Sequence, residues 1–144
     1  MALIRGYSKV DEEGRIVVPL NICRYCQLSP DYPVEVTVIR IKQTSRFPHM
    51  VIYRFPYVPF ISPMEAVMFE TEAKIDDQGR MVLSEQLMEE LKLGPGYIVE
   101  FKIHGAKGQH WVIVHNRGPW RQTTLQQRMG HKNVPKWRKV EVNY

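Results

Sequence analysis

Ser8–Arg40 reads SKVDEEGRIVVPLNICRYCQLSPDYPVEVTVIR, and Ala73–Gly105 reads AKIDDQGRMVLSEQLMEELKLGPGYIVEFKIHG. The two stretches align without a gap. Lys9/Lys74, Asp11/Asp76, Gly14/Gly79, Arg15/Arg80, Val17/Val82, Leu28/Leu93, Pro30/Pro95, Tyr32/Tyr97, Val34/Val99 and Glu35/Glu100 are identical. Most other positions exchange one apolar residue for another. A unit repeated once at this spacing implies internal two-fold pseudo-symmetry. Each unit with its following hairpin is only about 50 residues long, too short to bury a comfortable core alone. The copies are therefore expected to share one core.

Each copy divides into the same pieces. Ser8–Asp11 reads as a short strand. Residues 12–14 and 77–79 read as turns in which the Gly takes the positive φ of a tight hairpin. Arg15–Val18 and Arg80–Leu83 read as short apolar strands. A helix follows each. In the second copy Ser84 is the expected N-cap with Glu85 in the first turn, and Leu87, Met88 and Leu91 recur at helical spacing. Residues 92–94 read as its stop, with Pro95 beyond. In the first copy Pro19 precedes the helix, and Ile22, Cys23 and Cys26 take the apolar positions. Strands Val34–Ile41 and Ile98–Ile103 then pair with Met50–Phe55 and Trp111–Val114. Between the copies, residues 56–63 hold three prolines among aromatic and apolar residues, a stiff joint expected to pack across the core. The tail has no counterpart after the first copy. Residues 120–129 read as a short helix, 130–135 as a turn, and 137–144 alternate like a strand.

Charge divides the chain more sharply than its formal net of +5 suggests. Residues 1–55 carry 8 Lys and Arg against 5 Asp and Glu, residues 64–116 carry 5 against 9, and residues 117–144 carry 7 against 1. The basic ends favour nucleic acid or an acidic partner, and the acidic second copy would repel phosphate. No apolar run is long enough to span a membrane, and the first seven residues are too short for a secretory leader. A cytoplasmic protein without a membrane partner is the expectation.

The motif Lys9–Val10–Asp11–Glu12–Glu13–Gly14–Arg15–Ile16–Val17–Val18–Pro19, met again in step at Lys74–Leu83, resembles the core motif of the AbrB/SpoVT swapped-hairpin superfamily. The resemblance covers both copies, about two-thirds of the chain. It implies a mainly β protein with short helices, a pseudo-two-fold swapped-hairpin β-barrel built from tandem repeats. The two-repeat, single-chain form is similar to the MraZ arrangement, with Asp11…Arg15 and Asp76…Arg80 at the signature spacing. The opening and the tail depart from that branch. Expected boundaries are 1–55 for the first repeat, 56–63 for the linker, 64–116 for the second repeat and 117–144 for a basic extension.

Members of this superfamily are mostly transcription regulators and the antitoxin halves of toxin–antitoxin pairs. By position, the resemblance assigns contacts to double-stranded DNA to Lys9, Arg15, Arg24, Lys74 and Arg80. The second repeat has Glu89 where the first has Arg24, so the two faces should differ. Tail contacts, to nucleic acid or protein, would come from Arg117, Arg121, Arg128, Lys132, Lys136, Arg138 and Lys139. The implied function is a DNA-binding transcriptional regulator. The rival is a non-catalytic interaction module, antitoxin-like or an accessory subunit, that uses the barrel and basic tail on an acidic protein partner. Homo-oligomers fit either.

Other features have plainer readings. Arg15 and Arg80 can pin their own turns by pairing with the motif Asp. Cys23 and Cys26 form one C-x-x-C without a second, and the repeat sets them against Met88 and Leu91, so buried thiols are expected rather than a metal or redox site. His110 and His115 are an odd number apart and should face opposite ways on a strand. Glu89–Glu90 and Asp76–Asp77 are solvated charges, with no phosphate cradle or nucleophile motif beside them. Tyr53, Phe55, Tyr57, Phe60, Trp120 and Trp137 read as core and linker packing. No catalytic residue, metal or cofactor is expected.

Overall fold

The structure is a computed structural model, and it describes residues 5–44, 47–106 and 108–120. In chain order the elements are β1 (Arg5–Lys9), β2 (Arg15–Val17), α1 (Leu20–Tyr25), β3 (Val34–Ile41), β4 (His49–Tyr53), β5 (Glu65–Ala73), β6 (Arg80–Val82), α2 (Glu85–Leu91), β7 (Tyr97–Ala106) and β8 (Gln109–Pro119). The protein is mainly β, and among the described residues the pairing is antiparallel and the helices are two and short. Among the described residues no helix is long and apolar enough to cross a membrane.

Six strands form one sheet in the order β1-β7-β8-β4-β3-β5, and β2 pairs with β6 in a separate ribbon. Each repeat keeps its own hairpin, β3–β4 or β7–β8, but lends its first strand to the other repeat. β1 lies on β7, with Ser8 opposite Val99 and Tyr7 opposite Glu100. β5 lies on β3, with Ala73 opposite Val34 and Glu72 opposite Glu35. These registers map onto each other under the sequence alignment. Local sequence explains the exchange: the turns at residues 11–14 and 76–79 reverse the chain after each first strand, so the next strand leaves the sheet to build the ribbon.

The expected closed barrel is not formed. Among the described residues β1 and β5 are the edges, because β2 and β6 bond each other rather than bridging them. One apolar core lies between sheet, ribbon and helices. Ile16, Val18 and Ile22 of the first repeat sit there with Met81, Leu87, Leu91, Val99 and Phe101 of the second, all at 1% exposure or less.

The helices follow the apolar spacing. Ser84 Oγ accepts the Leu87 N–H at 3.2 Å, the expected cap on α2. The stop is Lys92 in the left-handed region (φ 57), with the Leu93 N–H bonded to the Met88 carbonyl, and Gln27 takes the same conformation (φ 59) after α1. α1 has Pro19 at its start and no side-chain cap.

Some boundaries differ from expectation. β1 starts earlier, at Arg5, and ends at Lys9. β7 and β8 run well past the expected strands, since each is flanked on both sides by other strands. Residues 117–119 belong to β8 rather than to an extension. Within the joint Phe60 is 76% exposed, Tyr57 is half-buried and Pro59 is buried, and Phe55 just before it is 70% exposed. The helices and ribbon already fill the core side of the sheet. The helix, turn and strand expected after Trp120 lie outside the described residues.

Candidate functional site

The ribbon sets the two matched turns beside each other. Arg15 is opposite Val82, Ile16 opposite Met81 and Val17 opposite Arg80. Two crossed bonds lock the arrangement: the Val18 N–H donates to the Gly79 carbonyl at 2.7 Å, and the Leu83 N–H to the Gly14 carbonyl at 2.8 Å.

Within each turn the Asp and Arg form a clamp. Asp11 Oδ1 accepts the backbone N–H of Glu13 and of Arg15, both at 2.9 Å, and Oδ2 accepts Arg15 Nε–H at 2.8 Å. Asp76 repeats this with Gln78 and Arg80, its Oδ2 accepting Arg80 Nε–H at 2.7 Å. Desolvation pushes the Asp11 carboxyl up, but the Arg15 amide and guanidinium and the Glu13 amide outweigh it and hold the carboxyl below its ordinary value. At Asp76 the Arg80 amide is the chief cause of the same lowering. The Asp-x-x-x-Arg spacing is thus a turn device first. In each clamp the guanidinium Nε bonds the Asp, and Arg15 Nη2 also reaches Glu13 Oε1 at 3.3 Å.

A groove of about 420 Å³ beside the ribbon is lined by Arg15, Lys74, Arg80, Asp76, Pro30, Ile75 and Val82. Three of the five expected DNA contacts therefore meet in one place. Arg24 lies in an adjoining groove of about 220 Å³, on α1, facing the second turn's Asp76 and Asp77. Lys9 lines neither and sits at the end of β1 opposite Ile98. The turn segments 11–15 and 76–80 themselves carry only Arg15 and Arg80 against five carboxylates, Asp11, Glu12, Glu13, Asp76 and Asp77.

Arg117, expected to belong to the basic extension, is instead tied into the sheet. Its Nε and Nη2 lie 2.8 and 2.6 Å from Glu100 Oε1, and Tyr7 donates its hydroxyl to Glu100 Oε2 at 2.9 Å. Arg5 adds a longer approach at 3.9 Å. Burial pushes the Glu100 carboxyl up, but Arg117 and Tyr7 outweigh it and leave it lowered, while burial and Glu100 push the Tyr7 hydroxyl to about 12. Arg121, Arg128, Lys132, Lys136, Arg138 and Lys139 lie outside the described residues. The sequence reasoning passed over Glu100. Its identity with Glu35 across the repeats was the available signal.

Cys23 and Cys26 are buried free thiols, pushed by desolvation to about 11 and 12. His110 meets Tyr25 of α1 edge-on at 4.5 Å, whereas His115 lies 5.4 Å from His49 of β4. The two histidines thus face opposite sides of the sheet, as their spacing required.

No family model and no curated protein matches this chain. Among solved structures it is similar to the solution structure of PHS018 from Pyrococcus horikoshii, at 15% identity over 84% of this chain and 100% of that one, with a TM-score of 0.40. At that score the likeness carries no argument.

Proposed function

We propose that this chain is a non-enzymatic DNA-binding transcriptional regulator of the AbrB/SpoVT type, with two swapped-hairpin halves in one polypeptide. The observation that carries the reading is the β2–β6 pairing, which sets Arg15, Lys74 and Arg80 in one groove. The exchange of β1 and β5 between repeats supports the swapped-hairpin description. Fusion in one chain holds the halves at an effective concentration of roughly millimolar, so the pair is preserved on dilution.

The turns position the duplex and the basic residues 121–144 supply affinity, because the turns themselves carry more carboxylates than cations. Arg15 and Arg80 reach phosphate with the nitrogens that the Asp clamps leave outside. The test is a gel-shift titration of the full chain on mixed-sequence duplexes. Arg15→Glu with Arg24→Glu should lower affinity tenfold or more, and a few-fold rise in salt should do the same to the native chain. Binding untouched by both changes would refute the reading.

A second reading, a protein-interaction module, is favoured by one observation. Phe60, Met64, Val67 and Met68 are exposed along the joint and the start of β5. Under it, the purified chain holds a stoichiometric polypeptide, and that association survives reversal of Arg15 and Arg24.

A further inference from the structure

We propose that the two halves of this chain grip DNA unequally: phosphates run along the groove of Lys74, Arg80 and Arg15 and on to Arg24, while the pseudo-symmetric position, marked by Lys9 and Glu89, contributes little. One chain then takes a single site without dyad symmetry, in one orientation. This inference rests on the DNA reading of that groove and deepens it.

The asymmetry starts at two substitutions between the copies. On the β1–β7 side, Lys9 lies opposite Ile98 and the pairing carries on past it. The Val10 N–H donates to the Tyr97 carbonyl at 2.8 Å, and the Gly96 N–H donates to the Val10 carbonyl at 2.7 Å. Gly96 and Tyr97 thus both oppose Val10, a bulge whose first residue takes a positive φ (86°) that glycine adopts readily. The first copy has Asp31 where the second has Gly96, and Pro33 where it has Ile98. Proline fixes φ near about −65°, short of the more extended value of an antiparallel strand. The β3–β5 register accordingly ends with Val34 opposite Ala73, one residue before Lys74. The loops then diverge. Tyr97 packs against the core, whereas Tyr32 is 52% exposed with the Arg54 guanidinium 4.3 Å from its ring centre.

The groove of about 420 Å³ occupies the place where that bulge would be repeated. Pro30 of the diverging loop and Ile75 both line it, together with Lys74, Arg80 and Arg15. Lys74, Arg80 and Val82 are exposed, while their twins Lys9, Arg15 and Val17 are half-buried. Pro30 and Asp76 also line the groove that holds Arg24, so the two form one track. Four cations follow it. Its carboxylates are Asp76, committed to the Arg80 clamp, and Asp77. The equivalent track on the other side would pair Lys9 with Glu89, which is exposed on α2. Phosphate contacts fix a protein's orientation on the duplex, and a palindromic site mirrors a symmetric contact surface. A one-sided track therefore selects one orientation and a site without a dyad.

The test is a gel-shift titration of the full chain on a mixed-sequence duplex at several salt concentrations. Lys74→Ala should weaken binding at least about fivefold and lower the salt slope by about 1, the signature of one lost phosphate contact. Lys9→Ala, the same change at the twin position, should weaken it less than about twofold and leave the slope as it was. Lys74→Arg keeps the charge and should bind as the native chain does. Should the alanine variant fail to fold, Lys74→Gln gives the same readout. Equal losses at the two lysines would overturn the unequal grip and leave the DNA reading standing, as would a loss in Lys74→Arg as large as that in Lys74→Ala. A selection from random duplexes should return a consensus without a dyad, and a palindromic one would overturn the proposal. A native chain that shifts no duplex even in low salt would remove the DNA reading itself, so the two failures are distinguishable.

Discussion

Replacing Glu100 by Gln and, in a separate chain, Glu35 by Gln makes the same chemical change at two equivalent positions, and the effects should have opposite signs. The Glu100 side chain is 6% exposed, accepts one bond from Arg117 Nε and one from the Tyr7 hydroxyl, and lies 2.6 Å from Arg117 Nη2. Charge-assisted bonds contribute about 1.5–3 kcal/mol each in net terms, and removing one partner of a buried pair costs about 3–5 kcal/mol. Arg117 is partly exposed and can rehydrate, so about 2–3 kcal/mol is the fair expectation for Glu100→Gln. Glu35 faces Glu72 across the strand pair. Like charges directly opposite each other destabilise by about 0.2–1 kcal/mol, and Glu35→Gln should return that amount. In thermal unfolding at pH 7, with about 3–4 °C per kcal/mol for a chain of this size, Glu100→Gln should melt about 6–12 °C lower and Glu35→Gln about 1–3 °C higher. The sign of the pH dependence is fixed. The folded-state pKa of Glu100 is lowered, so its contribution is present above the unfolded value of 4.5 and is lost as pH falls through the folded one. The gap between Glu100→Gln and the native chain should therefore close in acid. A loss of stability in both variants would show that Glu35 has a counter-ion in the native chain and would refute the reasoning.

Gly79→Ala should cost about 2–4 kcal/mol in chemical denaturation, because φ is +83° and the new Cβ would collide with the Val18 carbonyl oxygen, whereas Gly14→Ala, whose nearest neighbour is the flexible Met88 sulfur, should cost about 1–2 kcal/mol. Desolvation, then Arg117, His49 and Lys102, lower His115 to about 4, with Glu100 opposing, while His49 is lowered by burial against the pull of Glu65 and with the help of His104. A folded-state pKa below the unfolded 6.5 means the unfolded chain takes up protons first, so stability should fall by about 2 kcal/mol from pH 7.5 to 5, a slope that His115→Gln should flatten in pH-dependent melts. Cys23 and Cys26, raised to about 11 and 12, should react with iodoacetamide at pH 8 at least about a hundredfold more slowly than a free thiol; fast labelling of the folded chain would contradict their burial.

Much of the local structure was legible because it is written in short-range patterns. Ser84 caps α2 because its side-chain oxygen lies three residues before the N–H it accepts, and the apolar spacing of Leu87 and Leu91 names the buried face. The Asp-x-x-x-Arg clamps were legible too, since both partners lie within one turn. The exposure of Phe55 and Phe60 was not legible, because apolar character says that burial is favourable and not that room remains in the core. The place of Arg117 was not legible for a related reason: its charge reads as that of a basic tail, and only its register on β8 brings it to a buried carboxylate.

The sequence alone determined the duplication, the order of elements and the identity of Glu35 with Glu100, all of which follow from periodicity and turn chemistry within a few residues. Only the tertiary structure decided which strands become neighbours. By exchanging β1 and β5 it placed one glutamate against Tyr7 and Arg117 and its twin against a second glutamate. Electrostatic interaction depends on distance in space. Two identical residues in matching local sequence therefore acquire opposite roles once the fold brings different strands beside them.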